Sequence, residues 1–183
     1  NGSFTLTGLF PGEHTLEFDG STAFGPVDYG SYRATKVLEA NVIFEMTQPV
    51  YLPRVDNAAA GTVVAGMPTM IHNASIGADL FIPANSVVNE QGQNFTGTLT
   101  LSDVPERFTP GALPEDLEPA LVVTVQPMGL TFRQPAPITF PNTSGLTPGS
   151  EVDIWSLDHG KGAFFIAGRG QVSADGLTIV TIS

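Results

Sequence analysis

Along most of this chain apolar residues recur at every second position, in short runs broken by proline and glycine, and no stretch sustains the spacing of a helix. Side chains two apart share one face of a strand, so the pattern predicts β-sheet with one face on a core. The densest example is residues 121–142. There Val122, Val123 and Val125, the turn residues Gln126-Pro127-Met128-Gly129, and then Leu130, Phe132, Ile138 and Phe140 predict three strand segments between rigid corners.

The same reading extends outward from that stretch. Phe4, Leu6, Leu9 and Phe10 lead into Pro11-Gly12, and Thr15-Leu16-Glu17-Phe18 follows, which predicts strand, corner, strand. Residues 20–30 form a glycine-rich loop. Two strands are expected next, at residues 32–38 and at residues 41–46 running on to 53, and the small, polar residues 56–61 read as a linker. Val63-Val64 and Met70-Ile71 flank a turn, and further strands are expected within residues 78–87 and 97–104. Residues 105–119 carry four prolines and predict a surface connection with a helical turn at 115–118. Residues 151–157 alternate, setting Val152 and Ile154, with Leu157, apart from the face of Trp155. Segments 163–167, 168–172 and 177–182, the last after the Ala174-Asp175-Gly176 corner, complete the sheet. The fold class is all-β, as two consecutive antiparallel β-sandwich modules over residues 1–56 and 57–183.

Charge narrows the partners. Eighteen Asp and Glu against seven Lys and Arg give a net charge of −11, and the basic residues form no cluster. Nucleic acid and anionic lipid, which need a positive patch, are not expected partners. No apolar run approaches the roughly 20 residues of a membrane helix, so membrane insertion is not expected either. The absence of cysteine leaves stability to burial and sheet hydrogen bonds. The opening turn dipeptide Asn1-Gly2 predicts a segment of a longer exported polypeptide, located outside the cell or at its surface.

Two resemblances sharpen this. The run of Asn1, Gly2, Phe4, Leu6, Leu9, Pro11, Gly12, His14 and Leu16 resembles the late part of carboxypeptidase regulatory-like domains, which are prealbumin-type β-sandwiches. The resemblance covers about the first 20 residues and implies a sandwich without its early strands. The open sheet edge this creates would pair with another copy or with the missing segment. Residues 75–104, with Ile82-Pro83 closing a strand ahead of Thr98-Leu99-Thr100-Leu101, resemble the ZU5 family, and the proline ends its strand by withholding an amide donor. Some ZU5 relatives cleave themselves at His-Phe-Ser. The histidines here precede Thr15, Asn73 and Gly160, so self-cleavage is not expected.

The chemical candidates are few. Asp158-His159 near Ser156 suggests a dyad, but a turn placing neighbours apart is the expected arrangement, and no catalytic residue is assigned. Asp153, Asp158 and Asp175 are the candidates for a calcium site, although no spaced EF-hand-type pattern holds them, and no other cofactor is expected. Three scattered histidines do not favour zinc. Trp155 and His159 are the candidates for ligand binding, Trp155 with Phe164 and Phe165 as a sugar-stacking platform. Lys36 and Lys161 lack the apolar setting of an isopeptide-forming lysine. Asn73, Asn94 and Asn142 head glycosylation sequons.

Three functions compete at this point. The first is a non-catalytic structural or adhesive segment of a large multidomain protein whose partners are its neighbouring domains. The others are a carbohydrate- or calcium-binding module and an accessory domain of a secreted hydrolase.

Overall fold

The structure, a computed structural model, describes residues 3–46, 49–109, 113–115 and 117–182. The chain is all-β. Its strands are β1 (Gly12–Phe18), β2 (Tyr32–Leu38), β3 (Ala60–Val63), β4 (Thr69–Asn73), β5 (Ala78–Ile82), β6 (Val87–Val88) and β7 (Gly97–Asp103). Then come β8 (Val123–Gln126), β9 (Thr131–Phe132), β10 (Ile138–Pro141), β11 (Glu151–Asp158), β12 (Ala163–Val172) and β13 (Thr178–Thr181).

Among the described residues, β1 and β2 form an antiparallel ribbon of their own. The remainder is layered. A six-stranded sheet in the order β11-β12-β13-β10-β5-β4 faces a three-stranded sheet, β3-β7-β8, with the short pair β6-β9 beside it. Val63, Ile71, Leu80, Ile82, Leu99 and Leu101 meet between β4-β5 and β3-β7 and are almost fully buried. Gly61 permits this approach, because a Cβ there would lie 2.7 Å from Ile71 Cγ1.

The 121–142 stretch supplies β8, β9 and β10, three strand segments as its pattern predicts, and β2 has the expected bounds. The amino-terminal hairpin differs. Residues 3–10 form no strand, and Gly12, with φ at 130°, begins β1 instead of joining two strands. Phe4 and Leu6 remain 57% and 54% exposed, because alternation marks a face to bury without supplying a strand to pair with. Asn1 and Gly2 lie outside the described residues.

Residues 41–46 also lie outside any strand. Asn41 has positive φ, and Val42 and Ile43 are exposed. Gln48, on the expected continuation, lies outside the described residues; residues 49–53 form no strand, and Arg54 just after them makes an isolated bridge with Tyr29. The stretch expected as a linker is packed: Asp56 caps a 3-10 turn at Asn57–Ala59, Ala59 is buried, and β3 follows directly. Another 3-10 turn forms at Glu106–Phe108. The helical turn expected at 115–118 includes Asp116, which lies outside the described residues. Segments 163–167 and 168–172 join into the single strand β12.

Candidate functional site

The ribbon is fastened to the layered body at a few well-defined points. Gln126, at the end of β8 and buried, clasps the peptide of Ser31: its Oε1 accepts the Ser31 N–H at 3.2 Å, and its Nε2 donates to the Ser31 carbonyl at 3.3 Å. The same Nε2 donates to Thr124 Oγ1 at 3.1 Å, so both ends of the amide are satisfied. Gly30 lets the backbone come this close, since a Cβ there would stand 2.5 Å from Gln126 Cδ. Gly30 N–H donates to Pro53 O, Val55 N–H donates to Asp28 O, and Asn57 Nδ2 donates to Asp28 Oδ2 at 2.6 Å, closing the seam on its other side.

Charge and aromatic contacts reinforce the seam. The Arg33 guanidinium spans Glu17 of the ribbon at 2.8 Å and Glu90 of the body at 2.7 Å, and these bonds raise its pKa. Tyr32 is 5% exposed, and burial pushes its hydroxyl above the ordinary value. Its ring lies 6.0 Å from Phe18 and 5.5 Å from the His159 ring. His159 Nδ1 donates to the Arg33 carbonyl at 3.2 Å. This ligand-binding candidate therefore ties the β11–β12 turn to β2, and it also lines the cavity that Trp155 faces.

Asp158 is drawn to its own turn, where Oδ1 accepts the N–H groups of Gly160 at 2.9 Å and Lys161 at 3.0 Å. The bond from Lys161 N–H is the main reason its pKa falls below the ordinary range. Ser156 is exposed and paired with Phe165 on the neighbouring strand, so Ser156, Asp158 and His159 face three different partners. Asp175 accepts from Ser173 Oγ at 2.6 Å and from Leu177 N–H at 3.0 Å, and the serine bond leads in lowering its pKa. Asp153 lies 3.8 Å from Arg169 Nε. The three aspartates proposed for calcium thus serve a strand face and two separate turns. Among the described residues no three His, Cys, Asp or Glu side chains come together as a metal-holding group. His14 and His72 also go separate ways, to Phe10 O and to Asp79.

Trp155 has a different setting from the one its alternation implies. Pairing between β11 and β12 shifts after Ile154, whose partner is Gly168 while that of Trp155 is Ile166. Val152, Ile154, Trp155 and Leu157 are all half-buried, and all four line one cavity of about 610 Å³. Phe164 joins them, but Phe165 points away and is 49% exposed, so the three aromatics do not build one platform. The cavity lies between the β11–β12 end of the large sheet and a wall formed by β8 with the segments flanking it.

The sequons also divide. Asn73 is 1% exposed, its Nδ2 donates to Leu101 O at 2.7 Å and its Oδ1 accepts from Ser75. Asn142 uses its amide on Leu146 and on Gly176 O. Asn94 is the exposed one of the three.

Sequence reasoning missed the Gln126–Ser31 clasp and the Arg33 fork. The one available signal was that an arginine in so acidic a chain has carboxylates to choose from, but partners 16 and 57 residues away leave no local pattern. The chain matches no family model, no curated protein and no solved structure.

Proposed function

We propose that this chain is a non-catalytic structural segment of a larger extracellular or cell-surface polypeptide, in which a sandwich carries a β-ribbon that pairs with a neighbouring strand. The supporting observation is the ribbon's double character. Its base is locked to the body by the Gln126 clasp and the Arg33–Glu90 pair, while β1 and β2 pair as strands only with each other among the described residues. An unpaired strand edge offers a row of backbone donors and acceptors to another chain. Phe10 at 81% and Val37 at 67% exposure are apolar side chains that such pairing would cover. The resemblance of the first 20 residues to the late part of a carboxypeptidase regulatory-like sandwich fits the same role. The partner is then a neighbouring domain of the same polypeptide or a second copy.

Hydrogen exchange tests the reading. In the isolated monomer, amides on the outer edges of β1 and β2 should exchange fast while those of β7 stay protected, and the ribbon edges should gain protection in the longer polypeptide or in a dimer. Full protection of both edges in a monomer shown by light scattering overturns it.

A further inference from the structure

We propose that the cavity between β8 and the β11–β12 end of the large sheet is a binding site for a small uncharged apolar molecule, of the long-chain alcohol or terpenoid class. Its volume of about 610 Å³ falls within the roughly 300–1,000 Å³ typical of small-molecule sites. Its walls include Val125, Leu130, Val152, Ile154, Trp155 and Phe164, and each of these is only half-buried although it faces inward. Covering them with a ligand removes from water apolar surface that the protein leaves wetted, which is the main driving force for such binding.

Charge selects the head group. Among the described lining residues Glu118 and Asp153 are acidic, Asp153 lying 3.8 Å from Arg169 on the outer side, and none is a lysine or arginine, while the His159 ring is bonded to the Arg33 carbonyl. A fatty-acid carboxylate would be buried among apolar side chains without a lysine or arginine of the described lining to pair with, a cost that a neutral hydroxyl does not carry. Gln126, the amide in the wall, is already engaged with Ser31 and Thr124, so shape and apolar burial hold the ligand. The ribbon reaches this site through Ser31 and Tyr32, but the outer edges of β1 and β2 need no ligand to pair, so failure of the site would leave the structural role untouched.

Trp155 is the only tryptophan in the chain, so intrinsic emission arises from the cavity wall itself. The full chain would be titrated with the neutral dye N-phenyl-1-naphthylamine, following energy transfer from Trp155, and the dye then displaced with 1-decanol or with decanoate. Saturable one-to-one transfer is expected, with 1-decanol displacing the dye at roughly tenfold lower concentration than decanoate, the ratio that about 1.4 kcal/mol of discrimination produces. Val152→Phe, which fills the cavity from β11, should weaken the dye roughly tenfold. Ile154→Phe serves in its place if the first variant does not fold. Phe165→Ser, on the outer face of β12, should leave binding unchanged. Absence of saturable transfer, equal displacement by decanoate, or loss of binding in Phe165→Ser but not in the filling variants overturns the site.

Discussion

The two ends of the sandwich are built from the same kind of strand but reach different degrees of closure. At the β4–β5 end the large sheet has β3 and β7 directly across from it, and Ile71, Leu80, Ile82, Leu99 and Leu101 lie between 0 and 4% exposed. At the β11–β12 end no partner strand lies beyond β8 among the described residues, and Val152, Ile154, Trp155 and Leu157 stay half-wetted around a cavity. Six strands cannot be covered by three. Closure is therefore set by sheet width and not by how apolar a strand is, because β11 offers Val152, Ile154, Trp155 and Leu157 and stays half-wetted all the same.

The largest expected effect compares the two cores directly. Leu101→Ala should cost about 2–5 kcal/mol, since the methyls it removes are fully enclosed and the site cannot collapse. Leu157→Ala should cost about 1 kcal/mol, because that side chain is already partly in water. Urea unfolding midpoints of the two variants measure this, and equal losses would mean that the open end is closed in solution.

A smaller loss is expected at the seam. Gln126→Leu keeps the volume but leaves the Ser31 N–H and carbonyl without their partner, at about 1–3 kcal/mol. Exchange of the β2 amides should accelerate more than exchange in β7. Uniform acceleration would instead assign Gln126 to the core.

Acid should separate the halves further. Asp158 and Asp175, which secure the β11–β12 and β12–β13 turns, have pKa values held below the ordinary 3.8 by hydrogen bonds to their charged forms. A carboxyl with a depressed folded pKa stabilises the fold above its unfolded value and loses that contribution as pH falls from about 3.8 through the folded value. Between pH 6 and about pH 3, protection in β11–β13 should therefore fall before protection in β4 and β5, and Asp175→Asn should flatten the dependence. Loss that begins in β4 and β5 would contradict this order.

The smallest effect belongs to the exposed pair on the outer side of the open end. Arg169→Ala, which removes the 3.1 Å contact with Glu151, should shift stability by no more than about 0.5 kcal/mol. A larger change would show that β11 depends on surface charge for its position.

The strands of the body were legible because burial on one face imposes a two-residue period that each strand displays by itself. Residues 121–142 show it, and so does β5, with Ala78, Leu80 and Ile82 buried and Phe81 outward. The amino-terminal reading failed in part for the complementary reason. Phe4 and Leu6 carry the same period, yet residues 3–10 have no strand alongside them, and Tyr32–Leu38 pairs with Gly12–Phe18 instead. The candidate residues behaved likewise. Asp158 and Asp175 act on their own turns, as local rules foresee, whereas Trp155 faces the cavity where pairing with β12 shifts register and His159 contacts a carbonyl 126 residues away.

The sequence by itself determined the class of structure, the strand faces and the turn chemistry, since each depends on interactions within a few residues. Which strands became neighbours, how wide each sheet grew, and hence where the core closed and where it stayed open were decided only in the tertiary structure. Those outcomes depend on backbone pairing and on single contacts such as Gln126 with Ser31, whose members are 95 residues apart and carry no shared local pattern.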